Sequence, residues 1–231
     1  MTNPFIVLDL ETTGLSPDED KIIEIAAIRC EDGRITDRYE TLINPERMIS
    51  SRITEITGIS NDMVIDAPVI SDVIGELVEF LGDLVIVGHN VSFDYRFIAK
   101  AAGDYGIRYK ANGIDTFKLA KQYIEDIESR SLESLCAYFG IDNIHHRAMA
   151  DVMSTYDIFN RFAAMPEYEW KSEPMTYFAA RIQPATDKQI RFLSDLTRRY
   201  GIVPNKDIKS LTRSEASREI DKILSVYGIN R

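Results

Sequence analysis

Short apolar runs of the length of buried strands open the chain, and turn residues separate them. Phe5–Leu8 is partly β-branched and is bounded by Pro4, and Ile22–Cys30 and Arg34–Ile43 follow as two further strands. Glu31-Asp32-Gly33, between the second and third runs, is typical of a β-hairpin. The pattern therefore predicts a three-stranded meander.

Helical periodicity begins after the meander and alternates with short apolar runs. Val69–Leu81 repeats apolar residues at helical spacing, Leu84–Val87 is apolar throughout, and residues 93–102 return to a helical pattern. Ile114-Asp115-Thr116 predicts a short strand that runs into a helix. Further helices are predicted over Leu132–Phe139 and Ala148–Ala164. A meander followed by alternating strands and helices predicts an α/β fold, with a mixed sheet and helices on both faces.

Prolines interrupt the pattern after about Met165 and indicate a linker over residues 166–184. Beyond it, Thr186 is suited to cap a helix that ends at Tyr200-Gly201. Thr212 and Glu215 form a capping-box pattern that opens a second helix. The sequence thus predicts an α/β domain over residues 1–165 and a helical hairpin over residues 185–231.

The composition is that of an ordinary globular protein, with 45% apolar and 28% charged residues. Apolar runs all fall short of the roughly 20 residues that a membrane span needs, and the N-terminus lacks a signal-peptide pattern. Cys30 and Cys136 are two lone cysteines, and we expect them to be reduced core residues. We therefore expect a cytoplasmic protein.

Charge is distributed unevenly along the chain. The net charge is −10, but residues 181–231 hold 11 Lys+Arg and 6 Asp+Glu, a net +5, which leaves −15 for residues 1–180. An acidic balance argues against tight metal-free binding to duplex DNA, but bound divalent cations would offset it locally. Basic residues of the hairpin that could contact phosphates are Arg191, Arg198, Arg199, Lys206, Lys209 and Arg213. A solvated helical face and a protein-docking surface remain alternatives.

Two carboxylates end the first strand. Asp9 and Glu11 are two residues apart, so their side chains leave the same face of the sheet. Carboxylates at that spacing repel each other unless a cation lies between them, and Mg²⁺ prefers such oxygen ligands. The alternative is an exposed strand end with two solvated acids.

A third carboxylate, Asp94, follows the apolar strand Leu84–Val87. Asn90 or Ser92 could cap the helix that begins near Phe93, and an acid in a first helical turn needs no function. The position just beyond the carboxyl end of a strand nevertheless favours a ligand site, because α/β sheets bind ligands there.

A histidine and a fourth carboxylate lie five residues apart, which does not place both on one helical face. We expect His146 in the loop before the helix and Asp151 on its early turns. A histidine beside a metal suits a general base, but His145 has the same chemistry and spacing alone does not choose between them. His89 is expected to have a structural role at the end of its strand.

These motifs, FIVLDLETTGL, VGHNVSFDYRFI and HHRAMAD, resemble in this order those of the DnaQ-like proofreading exonucleases, the DEDDh group of the ribonuclease H-like fold. The resemblance covers about residues 5–164 and implies a mixed five-stranded sheet. It also implies two Mg²⁺ or Mn²⁺ ions and release of nucleoside 5′-monophosphates from a 3′ end.

The resemblance assigns a role to each motif residue. Asp9 would bridge both cations, Glu11 and Asp151 would help to hold the first, and Asp94 would support the site directly or through water. The H-x4-D spacing selects His146 as the general base. The residues expected to contact the substrate are Thr12, Thr13, Gly14, Leu15, Ile59, Asn90 and Phe93.

The leading hypothesis is a metal-dependent 3′→5′ exonuclease that acts on single-stranded or frayed DNA ends in repair or proofreading. One alternative keeps this chemistry but acts on RNA ends or short oligoribonucleotides. The other is a non-catalytic nucleic-acid-binding or polymerase-binding subunit. The hairpin would serve as the docking element for nucleic acid or for a polymerase, helicase or clamp.

Overall fold

The computed structural model describes residues 3–142, 147–177, 184–204, 207–211 and 213–227. The chain divides into two compact units, Met1–Tyr177 and Phe178–Arg231. Among the described residues, none of the helices combines the length and the apolar character that crossing a membrane would require.

The elements of the first unit follow the predicted order. The strands are β1 Phe5–Thr12, β2 Ile22–Glu31, β3 Arg34–Leu42, β4 Val85–Gly88, β5 Asn112–Asp115 and β6 Glu173–Pro174. The helices are α1 Ser51–Thr57, α2 Asn61–Val64, α3 Ile70–Leu81, α4 Ser92–Asp104, α5 Thr116–Tyr123, α6 Leu132–Phe139 and α7 Ala148–Ala163. The short helices α1 and α2 were not predicted from the periodicity.

The strands form one mixed sheet in the order β3-β2-β1-β4-β5-β6. β1, β2 and β3 are antiparallel, whereas β4 and β5 join parallel to β1. The hairpin between β2 and β3 is confirmed, because Asp32 and Gly33 both have positive φ, as a type I′ turn requires. The mixed α/β fold is therefore confirmed.

The sheet has six strands among the described residues, one more than the five expected. The extra strand, β6, is two residues long and pairs antiparallel with Asn112 and Gly113 at the edge of β5. Two residues carry no periodicity, so a strand of this length forms only because an edge is there to pair with.

The segment expected to be a linker packs in part onto the first unit. Trp170 lies with its ring centroid 6.0 Å from those of Phe5 and Phe159, and Tyr168 joins the same cluster. Met175 and Tyr177 pack on the cluster at the other face of the sheet. Residues 166–177 thus differ from the expected linker because their aromatic side chains bury apolar surface against the sheet.

The second unit contains α8 Asp187–Tyr200, a 3₁₀ turn at Ile208–Ser210 and α9 Arg213–Tyr227. Thr186 forms a capping box with Gln189, and the helix ends at Gly201 with φ 65°. Thr212 of the second predicted capping box lies outside the described residues. The core of this unit consists of Ala185, Leu193, Leu196, Leu211, Ala216 and Ile223.

Candidate active site

The acids of β1 continue an apolar row of the sheet. Phe5 and Val7 face the cluster that includes α7, while Ile6, Leu8 and Leu10 face α3 and α4. Because side chains alternate along a strand, Asp9 and Glu11 leave the same face as Phe5 and Val7. Pairing of β1 with β4 ends at Val7 and Val87, so the two acids lie where β1 extends past its parallel neighbour.

Asp151 approaches this strand end from the first turn of α7. Ala148 and Val152 of α7 are buried against the same face of the sheet as Phe5 and Val7. Carboxylate oxygens of Asp9, Glu11 and Asp151 all lie within 4.8 Å of one another. The structure thus brings Asp151 to Asp9 and Glu11, although Asp9 and Asp151 are 142 positions apart in the sequence. The motifs indicated this convergence.

Asp94 supports the strand between the two acids of β1. Its side chain is 3% exposed, and its Oδ1 accepts a hydrogen bond of 3.1 Å from the backbone N–H of Leu10. The carboxylate therefore takes the place of a strand partner beyond the end of β4. Asn90 and Ser92, which could have capped α4, do not occupy the capping position, because its N-cap residue is Val91.

Burial, together with the crowding of like charges, raises the pKa of Asp9, Glu11 and Asp94. Burial, followed by the charges of Asp94 and Asp151, raises the pKa of Asp9 well above its ordinary value. Burial and then Asp151 and Glu24 raise the pKa of Glu11 from 4.5 to about 7, against a lowering influence of Arg147. Burial also raises the pKa of Asp94, although the backbone N–H of Leu10 opposes it.

This donor set fits a divalent cation. Three carboxylates that cannot all ionise at neutral pH without cost need a positive charge between them, and their oxygens suit the ligand preference of Mg²⁺ and Mn²⁺. Asp9, Glu11 and Asp151 offer oxygens close enough together to share ions. The arrangement can therefore hold divalent cations of the kind that assist phosphodiester hydrolysis.

Glu24 on β2 is a site residue that the motifs did not reveal. It is paired in register with Glu11 and is fully buried. Its carboxylate accepts hydrogen bonds from Nε and Nη2 of Arg147, at 2.9 and 2.6 Å, and from the backbone N–H of Ala148 at 3.0 Å. A single acid within the apolar run of β2 was the available signal, because acids are rarely buried unless they are paired.

The loop after β1 is held in a fixed turn. The Thr12 hydroxyl donates to the carbonyl of Gly14 at 2.6 Å, and Asp20 accepts from the backbone N–H of Ser16 at 2.9 Å. A Cβ on Gly14 would lie 2.4 Å from the Asp20 carboxylate, so a larger residue there would require the Asp20 side chain to move. Leu15 projects from this loop and is 82% exposed.

The other expected substrate contacts divide into accessible and buried residues. Thr13 is half-buried, and its backbone N–H donates to the carbonyl of Lys21. Asn90 is exposed, and Phe93 is half-buried against Phe97. Ile59 is fully buried with Ile23 in an apolar cluster, which differs from the expected contact with a base. Of the two residues Leu15 and Ile59, Leu15 is therefore the one that is exposed enough to contact a base.

The histidines of the third motif, His145 and His146, lie outside the described residues. His89 is described: its Nδ1 lies 3.0 Å from Oγ1 of Thr116, and its ring contacts Phe117 edge-on. Burial lowers the pKa of His89, so a neutral imidazole is favoured there. Its contacts agree with the structural role expected at the end of β4.

Sequence comparison places the chain among known nucleases. The exonuclease family model RNase_T matches residues 6–159. The subunit epsilon of DNA polymerase III from Aquifex aeolicus is 38% identical over 157 residues, which cover 67% of this chain and 78% of that protein. The PolC-type DNA polymerase III of Thermotoga petrophila is 44% identical over 163 residues, or 70% of this chain. The chain spans only 11–12% of the length of such PolC-type relatives.

Solved structures agree with this assignment. Exonuclease X in complex with 5′-overhanging duplex DNA aligns with a TM-score of 0.54 and 29% identity, over 71% of this chain and 95% of that one. The nuclease domain of 3′hExo, a DEDDh family member bound to rAMP, aligns with a TM-score of 0.65 over 76% of this chain and 98% of that one. At 17% identity, the second likeness shows the fold alone. From the family match and the relatives together, the chain belongs to the RNase_T exonuclease family, to which it is joined by its likeness to the epsilon subunit of DNA polymerase III.

Proposed function

We propose that this exonuclease uses divalent cations to remove nucleotides one by one from the 3′ ends of single-stranded or frayed DNA. The observation that carries the proposal is the approach of the Asp9, Glu11 and Asp151 carboxylates to within 4.8 Å of one another. A protein without metal chemistry gains nothing from bringing three partly buried like charges together, because each raises the cost of ionising the others.

The acids of the site would divide the work between holding cations and fixing the strand. Asp9, Glu11 and Asp151 would hold two Mg²⁺ or Mn²⁺ ions. Asp94 would support the site through Leu10, whose N–H it binds. When bound, such ions lower the pKa of a water molecule and stabilise the entering and leaving oxygens of a phosphodiester.

His146 would act as the general base for this reaction. An imidazole changes protonation near neutral pH, so it can take the proton of the attacking water. Attack at the terminal phosphodiester then releases a nucleoside 5′-monophosphate. Leu15, Thr13, Gly14, Asn90 and Phe93 would line the cleft for the terminal nucleotide.

DNA is the polymer we favour, and repair or replication proofreading the process. The support is that relatives above 35% identity are components of DNA polymerase III, and that exonuclease X was solved with DNA. RNA as the substrate is the outcome that would redirect the proposal.

The second unit would bind the phosphates of single-stranded DNA. The outer side of α8 exposes Lys188, Arg191, Arg198 and Arg199, and Phe192 among them is 45% exposed. Basic side chains bind phosphates and an exposed aromatic ring can stack on a base. This unit carries a net charge of +5 on an otherwise acidic chain. If a polymerase, helicase or clamp is the partner instead, exchanging Arg191 and Arg199 for Gln will leave affinity for single-stranded DNA unchanged.

We place this activity in the cytoplasm. Cys30 and Cys136 are both buried, and burial raises the pKa of Cys30 to about 12. Such thiols are inert core residues that suit a reducing compartment.

The test is digestion of matched DNA and RNA oligomers that carry a label at the 5′ end, with Mg²⁺, Mn²⁺ or EDTA. The proposal expects a ladder that shortens from the 3′ end of DNA, 5′-monophosphate products, and no reaction in EDTA. Asp9→Asn should abolish the ladder, with Glu173→Gln as a matched control at an exposed acid. A strong preference for RNA would overturn the choice of polymer. A lack of any metal-dependent product would overturn the enzymatic proposal in favour of a binding subunit.

A further inference from the structure

We propose that Glu24 and Arg147 are positioning residues that hold Asp151 against β1 and thereby set the affinity of the metal site. The inference rests on the proposed function, because it assumes that Asp9, Glu11 and Asp151 bind cations. Neither residue belongs to that carboxylate group. Their contacts instead connect the sheet to the start of the helix that carries Asp151.

Glu24 provides a rigid starting point for this connection. It lies on β2, which is paired on one side with β1 and on the other with β3, opposite Glu11 and Leu42 respectively. Residues paired directly across an antiparallel ladder point to the same face, so the Glu24 side chain emerges beside that of Glu11. Full burial removes its freedom to move away.

The start of α7 has no side-chain cap of its own. Its N-cap residue is Arg147, whose side chain makes no capping hydrogen bond. Glu24 supplies the missing acceptor from β2, because its Oε2 binds the backbone N–H of Ala148 at 3.0 Å. A carboxylate at this position also interacts favourably with the positive end of the helix dipole.

Arg147 closes the connection to Asp151. Its guanidinium binds Oε1 of Glu24 through Nε and Nη2, so the pair is held in a fork. Its backbone carbonyl accepts hydrogen bonds from the N–H of Ala150 at 2.9 Å and of Asp151 at 3.2 Å. A continuous series of hydrogen bonds therefore runs from the buried acid of β2 to the residue that supplies the metal ligand.

The geometry of the metal site depends on this series. Asp9 and Glu11 come from one strand and are fixed by its pairing, whereas Asp151 comes from a helix that could slide over the sheet. Outer groups that orient metal ligands change metal affinity by about 10- to 100-fold when they are removed. An ion pair that merely stabilises the fold would change the melting temperature and leave the metal affinity of the folded protein unaltered.

The test is Mn²⁺ affinity of the full chain without nucleic acid, measured by electron paramagnetic resonance of the free ion. The variants are Glu24→Gln, Arg147→Met and Arg147→Lys, with Glu173→Gln as the control, since Glu173 forms an exposed ion pair with Lys118 elsewhere on the sheet. Circular dichroism reports whether each variant is folded. Asp9→Asn reports on the metal site itself.

The inference expects Glu24→Gln and Arg147→Met to weaken Mn²⁺ binding by about 10- to 100-fold, and the double variant to lose no more than either alone. Arg147→Lys should recover part of the loss, and Glu173→Gln should match wild type. Unchanged Mn²⁺ affinity in folded Arg147→Met would overturn this inference but leave the proposed function standing. Arg147 is half-exposed, so its variant provides the test if Glu24→Gln does not fold. Unchanged affinity in Asp9→Asn overturns the proposed function together with the inference.

Discussion

Glu11 and Glu24 face each other across β1 and β2, yet their surroundings give them opposite roles. The carboxylate of Glu24 is neutralised by the guanidinium of Arg147 and bound by the N–H of Ala148. Glu11 instead lies among Asp9 and Asp151, and its pKa is raised to about 7. The same residue type on adjacent strands is thus paired with a guanidinium in one case, and in the other lies where the proposed cations would bind.

This difference also explains why α7 can bring an acid to the site. The first turn of a helix that approaches a carboxylate cluster needs a group that holds it there by hydrogen bonds. That group must lie close to the cluster without adding a further uncompensated charge to it. The Glu24–Arg147 pair satisfies both conditions, because it lies beside Glu11 while its own charges compensate each other. The predictions that follow test whether the two glutamates are as different as their contacts indicate.

The largest effect is expected at the residue that precedes Arg147. His146→Ala should lower turnover by about 10²- to 10⁴-fold, because the general base is lost, while Mn²⁺ affinity stays at the wild-type value. Single-turnover hydrolysis and Mn²⁺ titration measure the two quantities. His145→Ala is the matched control and should remain active. The reverse pattern would contradict the assignment of His146.

Glu11→Gln should separate activity from stability. We expect turnover to fall by about 10²- to 10³-fold, as for other losses of one electrostatic stabiliser. The free energy of unfolding without metal should not fall, because the substitution removes a charge that Asp9 and Asp151 repel. Urea unfolding in EDTA provides the measurement. A clear loss of stability would mean that Glu11 is an anchor, as Glu24 is.

Glu24→Gln should show the opposite separation in the same urea experiment. We expect a loss of about 1–3 kcal/mol in the free energy of unfolding, the usual penalty when a buried hydrogen-bonded charge loses part of its partners. Glu173→Gln, at an exposed ion pair, is expected to lose less than about 1 kcal/mol. Equal stability of Glu24→Gln and wild type would remove the distinction between the two glutamates.

The contribution of Glu11 to the pH dependence of the metal-free protein should have a defined sign. The pKa of Glu11 is raised from 4.5 to about 7, so between these values the folded chain keeps a proton that the unfolded chain has lost. Stability should therefore fall as pH rises from about 4.5 to 7, with a slope of at most about 1.4 kcal/mol per pH unit for this group. Urea unfolding in EDTA at several pH values, with Glu11→Gln as the control, measures it. If wild type and Glu11→Gln both become more stable by the same amount as the pH rises from about 4.5 to 7, the raised pKa of Glu11 is contradicted.

Much of the fold follows from local pattern. Leu132–Phe139 was predicted with the bounds that the helix has, and in the structure Ser131 caps its start and Gly140 ends it. The apolar run Phe5–Leu8 was recognised as a strand with Asp9 and Glu11 at its end, and β1 continues to Thr12, beyond the apolar residues that mark it in the sequence. The two-residue β6 could not be predicted, because its pairing depends on the edge of β5 and not on its own residues.

The site residues that belong to sequence motifs could be predicted. The residues whose role depends on tertiary contacts could not. Asp9, Glu11 and Asp151 were identified from spacing and resemblance, and their oxygens do converge. Glu24 was missed because its partner Arg147 is 123 residues away, and only the packing of α7 on the sheet joins them. The resemblance implied that Ile59 contacts the substrate, but Ile59 is buried with Ile23, and this burial depends on tertiary packing.

The central claim is that the acids of β1 and α7 form a divalent metal site, and the most direct measurement is the melting temperature with saturating Mn²⁺ and with EDTA. At an ion concentration near 100 times the dissociation constant, binding contributes about 2.7 kcal/mol, which for a chain of this size raises the melting temperature by about 5–10 °C. The account predicts this rise in the wild-type protein and its loss in Asp9→Asn. The same rise in both proteins, or no rise in either, would contradict it.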